Sequence, residues 1–214
     1  MTLEYILKKW NLSLDQEMPI RIPNTDRVTL TKLFAELGFK EGAEVGVQEG
    51  RYANEICTNN PGVKLHCVDA WEKYDGYFDF ANPESYPKFL ARAHELLDKH
   101  DCKFIQKYSM DAVKDFPDRS LDFVYIDANH EIRHVIEDID EWGKKVKKGG
   151  ILAGHDYFIS DRKHNRAHVK YAVDAYTQAW ANTHQRPFVW FVLGRDERLP
   201  GERRESSRSW FWVV

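Results

Sequence analysis

Hydrophobic residues follow two alternating patterns along this chain. Five short apolar runs, typical of buried strands, lie at residues 43–47, 63–68, 104–108, 121–126 and 151–153. Helical spacing of apolar residues appears before, between and after these runs, at residues 29–37, 50–58, 88–99 and 131–146. Because strands that alternate with helices assemble into a parallel sheet covered on both faces, the pattern predicts an α/β fold.

The helix predicted at residues 131–146 has the clearest amphipathic pattern. Its predicted apolar stripe consists of Ile132, Val135, Ile136, Ile139, Trp142 and Val146. Its predicted polar face consists of Glu137, Asp138, Glu141 and Lys145. We therefore expect the stripe to pack on the sheet and the acidic residues to face solvent.

The C-terminal part of the chain predicts a different arrangement. A last helical pattern includes Val169, Val173, Tyr176 and Trp180, and two strand-like runs follow at residues 188–193 and 210–214. No helical pattern separates these two runs, so we expect them to pair antiparallel at the edge of the sheet. No linker-like segment divides the chain, which predicts a single domain over residues 1–214, with an N-terminal extension (1–27) and a Rossmann-like core (28–214).

The composition of the chain limits the kinds of molecule that it is expected to bind. The 214 residues are 43% hydrophobic and 30% charged, as expected for one globular domain. With 31 basic and 34 acidic residues, the net charge of −3 argues against binding to nucleic acids or anionic membranes. No window approaches the ~20 apolar residues of a membrane span, and no export signal is visible. The three cysteines have no CxxC spacing, so we expect buried thiols in a reducing compartment, the cytoplasm.

The strongest local motif is the segment Glu44-Val-Gly-Val-Gln-Glu-Gly50, which ends the first predicted strand of the core. Asp69 ends the next strand. Glycines at a strand-to-helix turn allow close approach of a ligand, and a carboxylate at the next strand end can accept hydrogen bonds from ribose hydroxyls. Gln48 and Glu49 depart from the dinucleotide fingerprint, because a pyrophosphate needs close backbone without negative charge. The alternative is an ordinary turn between strand and helix.

Four segments together resemble a known family over residues 29–214. They are EVGVQEG at 44–50, VDAW at 68–71, LDFVYIDANH at 121–130 and KKGGILAGHDY at 147–157. In this order they resemble the class I S-adenosylmethionine-dependent methyltransferases, in particular the small-molecule, metal-dependent O-methyltransferases. The resemblance implies a doubly wound sheet of seven strands in the order 3-2-1-4-5-7-6. That sheet would be mostly parallel, with an antiparallel C-terminal edge strand.

The resemblance also assigns a cofactor site for S-adenosylmethionine. It implies that Glu44, Gly46 and Gly50 line the methionine moiety, and that Asp69 holds the ribose. Trp71, Ser109 and Met110 would frame the adenine. The chain departs from the family pattern at Ala53, where relatives often carry a hydroxyl residue, and at Gln48, where the broader motif has a glycine.

A second group of polar residues follows the fourth and fifth strands of the predicted core. Asp127 ends one strand, His155 and Asp156 follow its neighbour, and parallel strands bring such ends together. Metal-dependent relatives hold magnesium with carboxylates at these positions, and His155 is the exception here. Because imidazole is a softer ligand, it shifts the preference of a site at Asp127, His155 and Asp156 toward transition metals. Otherwise, Asp127 caps the following helix.

His130, three residues after Asp127, is the candidate general base. A neutral imidazole can take the proton of an acceptor hydroxyl near neutral pH. Alternatively, His130 satisfies the helix N-terminus. Two long loops, at residues 71–87 and 157–168, follow strands and are expected to shape the pocket. We expect the aromatics Trp71, Tyr74, Tyr77, Phe78 and Phe80 to pack over a ligand. Arg162, Lys163, His164, Asn165, Arg166 and His168 are candidates for acceptor contacts.

The function that these residues favour is methyl transfer from S-adenosylmethionine to a small molecule, at oxygen, with Asp127 and His130 as catalytic residues and a divalent metal of undetermined identity. A nicotinamide-dependent oxidoreductase would use a similar nucleoside pocket, but the acidic turn at residues 48–49 opposes a pyrophosphate. A noncatalytic nucleoside-binding domain would not need the second polar group. A homo-oligomer, with residues 1–27 at its interface, stays open.

Overall fold

Eight strands form one sheet in the part of the chain that the computed structural model describes, which is residues 1–73, 82–159, 168–194, 200–201 and 207–214. The strands are β1 Ile20–Ile22, β2 Glu41–Val45, β3 Lys64–Asp69, β4 Cys102–Gln106, β5 Leu121–Ile126, β6 Val146–Gly154, β7 Phe191–Leu193 and β8 Trp210–Val213. Their order is β1-β7-β8-β6-β5-β2-β3-β4. Only β8 runs antiparallel to its neighbours among these strands.

Helices cover both faces of the sheet. They are α1 Thr2–Lys9, α2 Arg27–Glu36, α3 Arg51–Asn59, α4 Tyr86–Leu97, α5 Ser109–Ala112, α6 Ile132–Lys145 and α7 Val169–His184. Short 3-10 turns lie at Pro83–Ser85 and Val113–Asp115. Helices α1 to α4 pack on one face, around the stacked rings of Phe34 and Phe123, and α5 to α7 pack on the other, around Trp142. The doubly wound α/β class is therefore confirmed.

The sheet differs from the expectation in its size and its edge. Strands β4-β3-β2-β5-β6-β8-β7 reproduce the order 3-2-1-4-5-7-6, but the sheet has eight strands in the described residues rather than seven. The extra strand, β1, pairs with β7 and takes the edge, while β8 lies between β6 and β7 and is an interior strand rather than the predicted edge strand. The physical reason is the burial of Ile20 and Ile22, which extends the core past β7. The extension thus contributes both a helix and a strand.

The parallel strands β2, β3, β5 and β6 all end at the same edge of the sheet. Their last residues are Val45, Asp69, Ile126 and Gly154, and the segments that follow them carry the candidate site. None of the helices within the described ranges is long and apolar enough to cross a membrane.

Candidate active site

A cavity of about 330 Å³ opens at the carboxyl ends of β2 and β3. This volume lies at the lower end of the range of small-molecule sites, ~300–1,000 Å³. Five of the residues predicted to hold a cofactor line the cavity: Gly46, Asp69, Trp71, Ser109 and Met110. Two predicted residues, Glu44 and Gly50, are not among its lining residues. The described structure therefore gathers most of the predicted set around one space.

Asp69 organises the loops at the mouth of this cavity. Its Oδ2 accepts a hydrogen bond from the backbone N–H of Gln48 (2.8 Å), and its Oδ1 accepts one from that of Trp71 (2.7 Å). The indole Nε1 of Trp71 then donates to the carbonyl oxygen of Gln48 at 2.8 Å, which closes the ring of contacts. These contacts hold the carboxylate of Asp69 in a fixed position at the mouth of the cavity.

Position 46 requires a glycine because another segment of the protein's own backbone passes very close to it. Its φ is +94°, and a Cβ at this position would lie 2.1 Å from the carbonyl oxygen of Asp127. The segment after β5 therefore crosses directly over the turn after β2, and the amide of Asp127 continues the ladder by donating to Val45 at 2.7 Å. From the sequence we expected glycines in this turn to let a ligand approach closely. In the structure, it is the segment after β5 that approaches Gly46.

Glu44 lies inside β2, where its side chain is almost fully buried. Burial raises the pKa of this carboxyl well above its usual value, the nearby Asp127 carboxylate adds to the shift, and Arg27 opposes it. One of its oxygens, Oε2, has no hydrogen-bond partner within the described part of the chain. Gly50 caps α3 with a φ of +76° and packs against Ala93 of α4. Both residues support the turn after β2 from behind the cavity wall.

Asp138 is a residue of the cavity that the sequence placed on a solvent-facing surface. The structure contradicts that expectation, because Asp138 is 2% exposed and lines the cavity from α6. The hydroxyl of Ser109 donates to its Oδ1, and the same hydroxyl accepts from the indole of Trp142 at 2.8 Å. Burial raises the pKa of Asp138 to about 7, although the hydrogen bond from Ser109 opposes the shift. A buried carboxyl thus lies at the end of the cavity formed by Ser109.

The second polar group comes together as the strand order predicted. The Nε2 of His130 lies 3.3 Å from Oδ1 of Asp127 and 3.3 Å from Oδ2 of Asp156. The Nδ1 of His155 lies 3.3 Å from Oδ1 of Asp156 and 3.7 Å from Oδ2 of Asp127. We call these four residues the carboxylate–imidazole cluster.

Three members of the cluster converge closely enough to share one metal ion. Asp127, His130 and Asp156 can each offer one ligand atom within 4.8 Å of the others. This set contains His130 where the sequence favoured His155. Asp156 adopts a φ of +58°, which is unusual for a residue other than glycine and turns the chain sharply after β6. Backbone strain of this kind is common at functional sites.

The charges of the cluster stabilise one another. Burial alone would lower the pKa of His130, but the hydrogen bond that His130 donates to Asp127 and the charge of Asp156 outweigh it and raise the pKa. Burial opposes ionisation of Asp156, whereas the contact with His155 and the charge of His130 lower its pKa to about 2. These shifts favour an ionised Asp156 beside a protonated His130, and a divalent cation could replace that proton.

The cavity and the cluster are neighbours because they share one segment of chain. Asp127 and His130 contribute to the cluster, while Ala128 and Asn129 between them line the cavity. The predicted aromatic residues Tyr74, Tyr77, Phe78 and Phe80 lie outside the described residues. So do Arg162, Lys163, His164, Asn165 and Arg166 of the basic loop. His168 is described, and its backbone N–H donates to the carbonyl oxygen of His130 at 2.8 Å.

Comparison with known proteins assigns the chain to a family independently of the geometry of the site. A family described as a methyltransferase domain matches residues 43–157, which is more than half of the chain. The curated protein y4gI of Sinorhizobium fredii, itself uncharacterized, is 21% identical over 115 residues. That stretch is 54% of this chain but 12% of y4gI, so the chain spans only a small part of that relative.

Solved structures share the fold across nearly the whole chain. The O-methyltransferase from Bacillus cereus, solved in complex with SAH, has a TM-score of 0.55 and 15% identity, with 100% of this chain and 90% of that chain covered. The O-methyltransferase TomG from Streptomyces achromogenes, solved with SAM, has a TM-score of 0.53 and 16% identity, with 98% and 86% covered. At these identities the likeness establishes the fold and leaves the acceptor open.

Proposed function

This chain belongs to the class I S-adenosylmethionine-dependent methyltransferases, and we propose that it methylates an oxygen of a small-molecule acceptor with the help of a divalent metal ion. The observation that carries the proposal is the segment from Asp127 to His130, which lines the cavity with two residues and builds the carboxylate–imidazole cluster with two others. A methyl donor in the cavity and an acceptor at the cluster would therefore both contact residues 127–130. This places them next to each other, as direct transfer of a methyl group requires.

The cofactor half of the proposal assigns the cavity to S-adenosylmethionine. When bound, S-adenosylmethionine supplies a methyl group that is already activated on a sulfonium, so the protein mainly has to align the reactants. Asp69 would accept hydrogen bonds from the ribose hydroxyls. Trp71, Ser109 and Met110 would enclose the adenine, and the turn with Gly46 would face the methionine moiety, supported from behind by Glu44 and Gly50. Both solved neighbours described above hold this cofactor or its product.

The acceptor half assigns the cluster to a divalent cation. When bound, such an ion supplies Lewis-acid stabilisation of negative charge on an acceptor oxygen. The side chains present fit this task, because two carboxylates and an imidazole nitrogen converge at the edge of the cavity. A mixed oxygen and nitrogen donor set favours manganese, iron, cobalt, nickel or zinc over magnesium.

His130 has two candidate roles that exclude each other at any one moment. Its Nε2 faces both Asp127 and Asp156 at 3.3 Å, which is the position of a third metal ligand. The general-base role predicted from the sequence would use the lone pair of the same nitrogen. We propose the ligand role for His130, and His155, whose Nδ1 faces the same carboxylates, is the alternative ligand that would free His130 to act as the base.

The test begins with binding. Titration calorimetry should show micromolar or tighter binding of S-adenosylhomocysteine and no binding of NAD, since the acidic turn at residues 48–49 opposes a pyrophosphate. Binding of NAD without a response to S-adenosylhomocysteine would contradict the proposal. The enzyme should then transfer a labelled methyl group from S-adenosylmethionine to a panel of phenols, catechols and alcohols. Exclusive transfer to amines or thiols would overturn the choice of oxygen.

Metal dependence is tested separately. Exhaustive chelation should abolish methyl transfer, and re-addition of manganese or zinc should restore it, while the affinity for S-adenosylhomocysteine changes less than about threefold. Full activity in excess chelator would eliminate the metal and leave alignment as the source of catalysis.

We further propose that the enzyme works in the cytoplasm on a diffusible acceptor, without nucleic acid or membrane partners, and that residues 1–27 are available for self-association.

A further inference from the structure

All three cysteines of the chain meet in one place, although they lie far apart in the sequence. Cys57 is near the end of α3, Cys67 is inside β3, and Cys102 begins β4. The Sγ atoms of Cys57 and Cys102 are 3.5 Å apart. Cys67 and Cys102 lie on the same face of neighbouring strands, because Leu65 pairs with Cys102 in the register of β3 and β4. We call these three residues the thiol cluster.

A second cavity gives access to this cluster. Its volume is about 420 Å³, and it opens at the amino ends of β3 and β4, the opposite end of the sheet from the candidate active site. Cys57 contributes to its wall, together with polar residues such as Asn60, Lys99 and His100. Cys57 is the one thiol of the cluster in this wall, and Asp101 of the same wall directly precedes the partly exposed Cys102. A small polar solute can therefore approach the cluster without passing through the cofactor cavity.

The thiols of the cluster are not equivalent. Cys67 is fully buried and Cys57 is 4% exposed, whereas Cys102 is partly exposed. Hydrogen bonds from the thiols of Cys57 and Cys67 lower the pKa of Cys102, the positive charge of His100 adds to the effect, and burial opposes it. The hydrogen bond to Cys102 and burial raise the pKa of Cys57. A thiolate on Cys102 beside a thiol on Cys57 is the arrangement of an attacking and a resolving cysteine.

We propose that Cys102 and Cys57 form a reversible disulfide, with a small hydroperoxide that enters through the second cavity as the oxidant. The sulfur of Cys102 attacks one peroxide oxygen, the O–O bond breaks, and for hydrogen peroxide the products are a sulfenic acid and hydroxide. The sulfur of Cys57 then displaces the sulfenic hydroxyl. Its proton leaves with that hydroxyl as water. The proton that Cys102 lost on ionisation converts the hydroxide of the first step into a second water, so two thiols and one peroxide give one disulfide and two waters.

The geometry allows this bond with little movement. The two sulfurs must approach by about 1.5 Å to reach the disulfide length of ~2.05 Å. The bond would join α3 to β4 at the amino end of the sheet, away from Asp69 and the cofactor cavity. The proposal does not depend on the proposed methyl transfer, and we expect the affinity for S-adenosylhomocysteine to differ less than twofold between the reduced and oxidised chains.

Treatment of the full chain with hydrogen peroxide tests the proposal. The number of titratable thiols should fall from three to one, and the intact mass should fall by two hydrogens. Proteolysis without a reductant should release a peptide pair linked through Cys57 and Cys102, and a dithiol reductant should restore all three thiols. A link to Cys67, a link between two chains, or three unchanged thiols would each overturn the proposal.

Three single variants assign the roles. Cys67→Ser is the matched control and should form the same bond at the same rate within about twofold. Cys57→Ser should stop at the sulfenic acid of Cys102, which a 1,3-dione reagent traps. Cys102→Ser should leave Cys57 reduced, with oxidation slowed at least tenfold. Equal oxidation of Cys57 in the Cys102→Ser variant would contradict the role of Cys102 as the attacking thiol.

Discussion

The two ends of the parallel sheet hold their carboxylates in opposite environments. At the amino end, Asp122 of β5 accepts hydrogen bonds from the amides of Lys40 (2.7 Å) and Glu41 (3.0 Å) and from Nζ of Lys147 (2.7 Å). These contacts outweigh burial and lower its pKa. The pKa of Glu41 is lowered in the same way by hydrogen bonds from His66 and Lys64.

At the carboxyl end, burial raises the pKa of Glu44 and of Asp138 instead, whereas the pKa of Asp156, beside the two imidazoles of the cluster, is lowered. Asp127 and Asp156 gather around His130, where their charges are concentrated at the edge of the cavity. The amino end therefore uses its charges to stabilise the fold, whereas the carboxyl end concentrates Asp127 and Asp156 at the site proposed for a cation. The carboxylates in stabilising ion pairs and the carboxylates of the proposed cation site are thus separated by the length of a strand.

Removal of an imidazole from the cluster should have the largest effect on function. His130→Ala should lower kcat by about 10²–10⁴, whether His130 is a ligand or a base. A ligand role also requires the metal affinity to fall at least tenfold, which calorimetry with manganese or zinc measures. His155→Ala is the matched variant and should retain most of the metal affinity. Loss of metal affinity in His155→Ala but not in His130→Ala would return His130 to the role of general base.

A methyl group on Gly46 should have the largest effect on stability. Gly46→Ala places a Cβ 2.1 Å from the backbone of Asp127, and it adds the strain of a φ of +94°. We expect the free energy of unfolding, measured with urea, to fall by about 3 kcal/mol. Gly38→Ala is the control, because Gly38 has a similar φ of +72° with nothing within 4 Å of the added Cβ. Its cost should be about 1 kcal/mol, and equal costs would show that strain alone matters.

Truncation of Asp69 should affect binding more than folding. Asp69→Ala should weaken binding of S-adenosylhomocysteine by about 1–3 kcal/mol, because ribose hydroxyls would lose a charged acceptor. Asp69→Asn keeps an oxygen for the amide of Trp71 and should lose less. Calorimetry measures both, with melting temperatures as a check on folding. An unchanged dissociation constant in Asp69→Ala would place the ribose elsewhere.

Much of this site could be predicted because it depends on short sequence patterns and on the ends of neighbouring strands. Apolar runs predicted most strands to within three residues, and residues 121–126 match β5 in full, but β6 begins at Val146, five residues before the predicted run. Since parallel strands end at one edge, Asp127 and Asp156 had to approach each other once their strands were neighbours. The resemblance then added roles for Asp69 and Trp71, both of which lie at the cavity.

Other features depend on contacts between distant segments. The thiol cluster needs the register of β3 against β4, and β1 needs the edge of β7, so neither has a local signal. Asp138 did have one, because the spacing Val135, Asp138, Ile139 and Trp142 defines a buried face of α6. We expected Ile132 and Ile136 on that face because they are apolar, yet they are 43% and 36% exposed. On α6, the position of a residue around the helix therefore decides its burial more than the polarity of its side chain does.

The raised pKa of Asp138 predicts a pH dependence of stability. The folded protein holds this proton up to about pH 7, whereas the unfolded chain releases it near pH 4, so stability falls as pH rises between these values. Asp138→Asn keeps an oxygen for the hydroxyl of Ser109 but carries no proton to lose. Urea unfolding from pH 4 to 8 should show the variant gaining on the wild type, by about 1–2 kcal/mol at pH 7. Parallel curves would contradict the buried, titrating carboxyl.

Asp122→Asn should give the opposite slope, with the smallest effect. The pKa of Asp122 is lower in the folded protein, so its contribution is present above the unfolded pKa near 4 and is lost as pH falls through the folded value. Because Asn keeps an acceptor for the amides of Lys40 and Glu41, the variant should lose about 1 kcal/mol at pH 7. That loss should shrink below about pH 4, where the wild-type carboxyl also becomes neutral. If both variants instead changed with pH in the same direction, the two ends of the sheet would not differ in their use of charge.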